Sequence, residues 1–581
     1  MHFSGFFLIS LIFVSGICEI FEDTESSSQP SGPIVQLKNG FIRGKITKSW
    51  SGKAIYSFLG IRYAQPPTGK LQFKAPQELL ESWSGVKNAN FDGNKCPQLT
   101  FPERKFQGEE DCLYLNVYTS KLPNKEEPNA ENLKVLFFLH GGGFTFGSGI
   151  SEEYGPDYLL DHDMILVIPN YRLGPYGFLS MGDEDLPGNL GLLDQQLALK
   201  WVRDNIGAFG GDPDSITLGG SQAGAVSAHI HALTPSSHGL FSQGIGLCGT
   251  ALTSWGVVYP DEAKERALKL AELLECGSGR KRNESNAELT STEIMSCISM
   301  KEVKDVIWKS QFVLDFNTDF TFPFVPVVYG YENATFLREH PSEMLAEGSF
   351  VDVPWIVGTT SLPGLPHALQ ILVSSQVAKA LNEHFEYNLP VFLDFRSFSE
   401  ENIIEAGRRI KDFYSFERSS GPDGLETMGK VFSDIYYFHP LMETIKAYSS
   451  KNSSPLYAYH FSYNYRARRR SMGLPQGDDI AYLFSGNHYI FQLKKDEPHV
   501  ATMEKFTELI WSFIETGHPT EKASGKVTWE AVKDDNVRFL NIGQKKTTMM
   551  NETGLYSDRM AFWDGIFDLL ENEAVQQKDE L

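Results

Sequence analysis

Residues 209–224 read FGGDPDSITLGGSQAG, and this stretch decides the fold. Its apolar centre, residues 216–218, has the length and composition of a buried strand. The sequence GSQAG at residues 220–224 follows directly. Glycine adopts backbone conformations that other residues avoid, so the glycines on both sides of Gln222 permit a tight turn. We therefore expect a strand at residues 216–218 that is followed by a glycine-rich segment.

Apolar runs elsewhere in the chain predict further strands of one sheet. They are almost continuously hydrophobic, as expected for strands that are covered on both faces. Between two of them, apolar residues recur at spacings of three and four, which predicts an amphipathic helix. This alternation indicates an α/β fold with a large, mostly parallel central sheet and helices on both faces. The predicted strands are residues 135–139, 164–168, 216–218, 355–357 and 456–461; the first helix includes Leu190, Leu193, Leu197 and Trp201, and a second helix of this kind stops at Gly517.

The composition is that of a globular, soluble protein. The chain has 581 residues, of which 41% are hydrophobic, and a net charge of −22. This charge would repel a phosphate backbone, so we expect no nucleic-acid partner. We interpret the one basic run, residues 466–470, as a solvated loop rather than an anion site.

Residues 1–18 are predicted to be a signal peptide. The apolar run at residues 6–18 is too short to span a bilayer, and Gly16 and Cys18 suit cleavage after residue 18. Residues 19–32 are expected to be a flexible segment. No later stretch reaches about 18 uninterrupted apolar residues, so we expect no transmembrane anchor.

The chain ends in KDEL, a retrieval address of the endoplasmic reticulum (ER) that is read by a receptor. Together with the signal peptide, it predicts localisation in the ER lumen and makes the retrieval receptor an expected partner. Residues 568–581 form an acidic tail that carries this address. The four residues of the address are Lys578, Asp579, Glu580 and Leu581.

The cysteines agree with an oxidising compartment. Cys248 ends an apolar run, and we interpret it as a buried, inert thiol. The remaining cysteines of the mature chain can close two short loops, as lumenal disulfides often do. These pairs are Cys96 with Cys112 and Cys276 with Cys297, and sequons that predict glycans on surface loops occur at Asn283, Asn333, Asn452 and Asn551.

Several motifs, in order along the chain, resemble the signatures of the type-B carboxylesterase and cholinesterase family. The resemblance covers about residues 33–567. It implies one α/β-hydrolase domain with a gorge above the sheet, and the disulfides Cys96–Cys112 and Cys276–Cys297. The motifs are FLGIRYAQPP at 58–67, EDCLYLNV at 110–117, HGGGF at 140–144, NYR at 170–172, GNLG at 188–191, FGGDP at 209–213 and AFW at 561–563.

The resemblance assigns a nucleophile, an acid and a base to three positions that carry other residues here. The family places the nucleophilic serine in G-x-S-x-G on a strand-to-helix turn, where this chain has Gln222. The family's glutamate is replaced by Pro363 and its histidine by Gln476. A primary amide is not activated by a base and forms no acyl-enzyme. We therefore predict that the protein is not an enzyme but a non-catalytic member of this family.

Such a protein would bind a lumenal protein client or an apolar small molecule in the gorge. The backbone N–H groups of Gly142, Gly143 and Ala223 would still converge as an oxyanion hole does. Because buried donors need partners, one hypothesis is that the Gln222 amide oxygen accepts these hydrogen bonds and that Gln476 bonds to the same amide. The alternative is that the glycines are present only because the tight turns need them.

The alternative function is a carboxylic-ester hydrolase with a displaced nucleophile, Ser221. A shift of one residue along a strand turns the side chain to the other face, so we expect Ser221 to point away from the oxyanion donors. His367 and His488 lie near the replaced acid and base in sequence and would be the substitutes. Trp255 matches a family position near the acyl pocket and is equally consistent with a core residue.

We expect no cofactor and no metal. His229 and His231 are two residues apart on the helix that follows the turn, so they face different directions. No cluster of ligands with the spacing of a zinc site occurs in the sequence.

Overall fold

The computed structural model describes residues 32–579 with several gaps. The residues that are not described within this range are 101–102, 124–131, 278–287, 315–321, 330–335, 374, 394, 396–397, 417–421, 465–472, 487–492, 496, 525–526, 534–536 and 551–554. The predicted signal peptide, the basic run at 466–470, His488 and three sequons (Asn283, Asn333 and Asn551) therefore lie outside the described residues, as do Glu580 and Leu581.

A central sheet of 11 strands organises the described part of the chain. Neighbouring strands are parallel from Leu540–Ile542 through to Ile165–Pro169, and antiparallel at both edges. The prediction of a large, mostly parallel sheet is confirmed. In spatial order the strands are Thr547–Met549, Leu540–Ile542, Leu456–Phe461, Trp355–Thr360, Gln243–Leu247, Gly211–Ser221, Leu133–Leu139, Ile165–Pro169, Tyr114–Thr119, Ala54–Arg62 and Lys45–Lys48.

Helices cover both faces of this sheet, as predicted, and bury its central strands. Every residue of Ile165–Pro169, Trp355–Thr360 and Leu456–Phe461 is buried, which explains why these strands are almost continuously apolar. The α-helices of the described chain are Gly174–Phe178, Leu190–Asn205, Ala223–Leu233, Pro260–Leu273, Ser291–Ser299, Val303–Ser310, Pro341–Glu347, Leu365–Val373, Ser375–Glu383, Phe385–Phe392, Glu400–Phe413, Pro422–Ser433, His439–Lys451, Val500–Thr516 and Ser557–Asp579.

Smaller elements complete the fold. A three-stranded sheet of Ile34–Leu37, Gly40–Arg43 and Val86–Asn88 and a two-stranded sheet of Gln98–Leu99 and Phe106–Gln107 lie beside the main sheet. Among the described helices, none combines the length and the apolar character that a bilayer crossing requires. The last helix, Ser557–Asp579, includes most of the segment that the sequence predicted as a tail.

The predicted cysteine pairs are confirmed. Cys96–Cys112 and Cys276–Cys297 are disulfides with Cα–Cα distances of 5.0 and 5.8 Å. Cys248 is a buried free thiol, as expected, and burial raises its pKa. The sequon residue Asn452 is half-buried at the end of the helix His439–Lys451.

Three buried histidines make the stability of this fold depend on pH. Burial lowers the pKa values of His229, His231 and His367 to about 3, whereas an unfolded histidine has a pKa of about 6.5. Below that value the unfolded chain takes up protons that the folded chain does not, so the free energy of unfolding falls as the pH falls. Each such histidine contributes a loss of about 2 kcal/mol between about pH 7 and pH 5.

We expect urea unfolding, followed by tryptophan fluorescence, to show this loss. The variant His231→Gln should lose about 2 kcal/mol less than the wild type over the same pH interval. An identical pH dependence in the two proteins would show that His231 is not held neutral by the fold.

Candidate active site

The turn at Gln222 connects the strand Gly211–Ser221 to the helix Ala223–Leu233. Its backbone has φ 55° and ψ −118°, a conformation that costs a side-chain-bearing residue about 1–3 kcal/mol. Two hydrogen bonds hold it: Gln222 N–H donates to Leu247 O, and Val226 N–H donates to Gln222 O, both at 2.9 Å. The strained turn is thus built into the sheet on one side and the helix on the other.

Glycines allow this turn to pack against the neighbouring strand. A Cβ atom at Gly220 would overlap the backbone of Gly224, and one at Gly224 would overlap the carbonyl oxygen of Leu139. The helix N-terminus therefore lies directly against the end of the strand Leu133–Leu139. This contact brings the turn next to the loop HGGGF at residues 140–144.

The Gln222 amide occupies the region in front of this loop. Gly142 N–H donates a hydrogen bond to Gln222 Oε1 at 2.8 Å. Three oxyanion donors were predicted to bond to this oxygen. Among the described residues, only Gly142 does so, and no such hydrogen bond from Gly143 or Ala223 is present. Above Gly143 lies the ring of Phe322, which occupies the space that a Cβ atom would need.

The structure also brings Gln476 and Pro363 together. Gln476 N–H donates to Pro363 O at 3.5 Å. The predicted direct bond from Gln476 to the Gln222 amide is not present among the described residues. Instead, the Tyr437 hydroxyl donates to Gln476 Oε1 and lies close to the Gln222 side chain. The positions predicted to correspond to nucleophile, acid and base are therefore neighbours in space.

Sequence reasoning missed Tyr437. It lies in the π-helical segment Asp434–Phe438, between the helices Pro422–Ser433 and His439–Lys451. Such π-helical turns are rare and are frequent at functional sites. No spacing in the sequence links Tyr437 to Gln222 or Gln476, because only the packing of helices above the sheet places its hydroxyl between them.

His367 is the fourth member of this hydrogen-bonded group. Its Nε2 lies 3.2 Å from the Tyr437 hydroxyl. Burial lowers the pKa of His367 to about 3 and raises that of Tyr437 well above its usual value. At neutral pH the network of Gln222, Tyr437, Gln476 and His367 is consequently uncharged.

A cavity of about 320 Å³ opens beside the Gln222 amide. It lies between the loop HGGGF, the turn at Gln222 and the loop closed by the disulfide Cys96–Cys112. Amide, hydroxyl and charged side chains predominate in its lining. The lining residues are Lys95, Gln98, Thr100, Glu103, Gln107, Gly141, Gly142, Phe146, Gly147, Glu153, Tyr154, Ser221, Gln222, Gln476, Gly477 and Ile480.

Ser221 lines the same cavity as Gly142 and Gln222. Ser221 is the last residue of its strand, directly before the strained turn, and its backbone oxygen lies close to Gly141 of the oxyanion loop. The expectation that its side chain points away from the oxyanion donors stays a prediction. Among the described residues, no hydrogen-bond partner is present for the Ser221 hydroxyl.

An aromatic cluster fills the other side of the oxyanion loop. Trp255 lies 5.1 Å from Phe322 and 6.5 Å from Phe144, measured between ring centroids. Phe322 and Phe144 are buried and Trp255 is partly buried against the core. Trp255 is thus both close to the site and part of the hydrophobic packing.

The remaining predicted histidines have structural partners. His229 Nδ1 accepts a hydrogen bond from Ala251 N–H at 2.9 Å, while His231 bonds to Ser237 and Gln195. Away from the cavity, His439, Glu443 and Asp564 approach one another. There His439 Nε2 is 2.9 Å from Asp564 Oδ1, and Glu443 pairs with Lys446.

Comparison with known proteins identifies relatives along nearly the whole chain. A model of the carboxylesterase family matches residues 31–563. Esterase E4 of Myzus persicae is 34% identical over 562 residues, which cover 92% of this chain and 96% of that protein. Juvenile hormone esterase of Tribolium castaneum is 31% identical over 569 residues, covering 92% of this chain and 94% of that protein. The crystal structure of juvenile hormone esterase from Manduca sexta, with OTFP covalently attached, covers 93% of this chain and 100% of its own at a TM-score of 0.78 and 28% identity.

These relatives contradict the prediction that the protein is not an enzyme. Proteins named esterases share 34% and 31% identity with nearly the whole chain, which points to an ester hydrolase. The prediction equated replacement of the three assigned positions, Gln222, Pro363 and Gln476, with loss of hydrolysis. It did not foresee that the adjacent hydroxyl-bearing residue, Ser221, lines the same cavity as the oxyanion loop.

The hydrogen bonds of Tyr437 predict the effect of removing its hydroxyl. Tyr437→Phe leaves the Gln476 amide oxygen without its donor, and we expect the free energy of unfolding to fall by about 1–3 kcal/mol in urea denaturation. Tyr448→Phe is the matched control, because the Tyr448 hydroxyl is buried without a hydrogen-bond partner among the described residues. Removal of the Tyr448 hydroxyl should leave the free energy of unfolding unchanged or raise it. Equal losses in both variants would contradict the bridging role of Tyr437.

Proposed function

Because the chain belongs to the carboxylesterase family, we propose that it hydrolyses carboxylic esters with Ser221 as the nucleophile. The observation that carries this proposal is that Ser221 and Gly142, an oxyanion-loop residue, line one cavity. The relatives named esterases support the reaction type.

In the proposed first step, Ser221 Oγ attacks the carbonyl carbon of the ester. The proton of the hydroxyl passes to a base, and the developing negative charge on the carbonyl oxygen is stabilised by the Gly142 N–H group. The alcohol then leaves with a proton, and water hydrolyses the resulting acyl-serine. The Gln222 amide itself takes no covalent part, because a primary amide is not a nucleophile of this kind.

Glu153 is the residue that we assign as the base. Its carboxylate lines the same cavity as Ser221. Glu153 is held in place on both oxygens: Lys95 Nζ lies 2.6 Å from Oε1, and Ser148 N–H donates to Oε2 at 3.1 Å. In the proposed reaction this carboxylate accepts the proton of the hydroxyl and returns it to the leaving alcohol.

The Gln222 amide competes with the substrate for the oxyanion donor. Its Oε1 accepts the Gly142 N–H hydrogen bond, so the ester carbonyl must displace it before reaction. Loss of one oxyanion-hole donor costs about 10²–10³ in kcat. We therefore expect slow turnover compared with enzymes that have a serine on the turn.

Covalent labelling tests the assignment of Ser221. A fluorophosphonate should modify the wild type at Ser221, and the purified protein should hydrolyse 4-nitrophenyl acetate. Ser221→Ala should abolish both, with a loss of at least about 10³-fold in kcat. Ser120→Ala is the matched control, because the Ser120 hydroxyl is buried outside the cavity and has no partner among the described residues.

Either of two results would overturn the proposal. The first is labelling and turnover that survive in Ser221→Ala. The second is a wild type that neither reacts with the fluorophosphonate nor hydrolyses the ester.

A second experiment tests the positions around the turn. The triple variant Gln222→Ser, Pro363→Glu, Gln476→His puts a serine, a carboxylate and an imidazole at neighbouring positions. We expect it to hydrolyse 4-nitrophenyl acetate even when Ser221→Ala is added, because its nucleophile lies on the turn. Turnover that still depends on Ser221 would show that these three positions do not form a triad.

A further inference from the structure

The lining of the cavity beside Ser221 points to the class of ester that binds there. Ligand pockets are usually lined mainly by hydrophobic and aromatic side chains. Besides its apolar surface, this cavity contains four glutamines (Gln98, Gln107, Gln222 and Gln476) in addition to Ser221. We infer that it holds a neutral, hydroxyl-rich alcohol of about the size of one sugar, esterified with a short acid. The inference rests on the proposed function.

Three polar groups of the lining remain available to a ligand. The Gln476 amide oxygen accepts a hydrogen bond from Tyr437, so its N–H groups remain available to donate to a ligand. Gln107 Nε2 donates to Gln98 Oε1 at 3.4 Å, so the Gln107 amide oxygen remains available to accept. The Ser221 hydroxyl is the third, and none of these three groups has another partner among the described residues.

These three groups can donate and accept hydrogen bonds, and none of them is charged. The Lys95 ammonium in the wall is paired with Glu153 at 2.6 Å, and Glu103 is exposed to solvent at the rim. A cationic or anionic alcohol would therefore find no unpaired buried counter-charge among the described lining residues. Hydroxyl groups, which both donate and accept, match amides and a serine hydroxyl.

An apolar alcohol would bind poorly for the same reason. It would displace water from the amides and the serine without replacing the hydrogen bonds. Each buried polar group left unsatisfied costs about 1–3 kcal/mol. The glutamines and Ser221 thus favour an alcohol with hydroxyl groups over an apolar one.

The acyl group is limited by the aromatic cluster on the other side of the loop. Phe322 packs directly over Gly143, and Trp255 packs against Phe322. These rings lie beside the oxyanion loop, and we expect them to favour a short acyl chain such as acetyl. The cavity of about 320 Å³ is at the lower end of the usual range for ligand pockets, which suits a single sugar.

The test compares esters that differ only in the alcohol. We expect kcat/KM for a monoacetylated glucose to exceed that for hexyl acetate by about 100-fold, which corresponds to two unsatisfied hydrogen bonds in the apolar case. Gln107→Leu should reduce this ratio at least about tenfold. Gln77→Leu, which changes an exposed glutamine outside the cavity, should leave the ratio unchanged.

The outcomes separate this inference from the proposed function. Hydrolysis of hexyl acetate at an equal or higher rate, or a preference for a decanoyl over an acetyl ester, would overturn the inference while hydrolysis itself stands. Saturable binding of a glucose ether, measured by calorimetry and weakened by Gln107→Leu, would support the inference even if no ester were hydrolysed. Absence of both binding and sugar-ester preference would overturn it.

Discussion

The close contact between the turn at Gln222 and the end of the strand Leu133–Leu139 is the constraint on which the rest of the site depends. Gly220 and Gly224 permit it, because any side chain there would overlap neighbouring backbone. The contact places a residue with φ 55° directly opposite the loop HGGGF. Parallel strands on both sides of Gly211–Ser221 hold the turn at the carboxyl edge of the sheet, where α/β folds place their ligand sites.

Once the turn is in place, its side chain determines what the oxyanion loop can do. The Gln222 amide oxygen accepts the hydrogen bond of Gly142, and Tyr437 connects the same side chain to Gln476. Burial of an N–H group without an acceptor costs free energy. Gln222 therefore stabilises the fold by accepting the hydrogen bond of Gly142. In the proposed reaction, a substrate must offer at least as good an acceptor in the same place. The Gly142–Gln222 hydrogen bond therefore stabilises the fold and, in the proposed reaction, opposes binding of the ester carbonyl.

The fold was largely predictable from sequence, and particular segments show why. Residues 355–357 are apolar throughout, and residues 456–461 are interrupted only by His460. Strands covered on both faces have this composition, and both segments are central strands. The spacing of apolar residues from Leu190 predicted the helix Leu190–Asn205, and Gly517, with φ 77°, ends Val500–Thr516 as expected. These are local patterns, and burial on a sheet or along one helix face imposes them directly on the sequence.

The chain by itself determined the sheet, the pairing of its cysteines and the residue on the turn, because each follows from nearby residues or from motifs in a constant order. Tertiary structure alone decided which side chains meet around that turn. Tyr437 reaches Gln222 and Gln476 from a π-helical segment far away in sequence. Ser221 lies at the edge of the cavity because its strand ends there, next to the oxyanion loop. Contacts of this kind depend on how separate elements pack in three dimensions, so the periodicity of the sequence within one element cannot predict them.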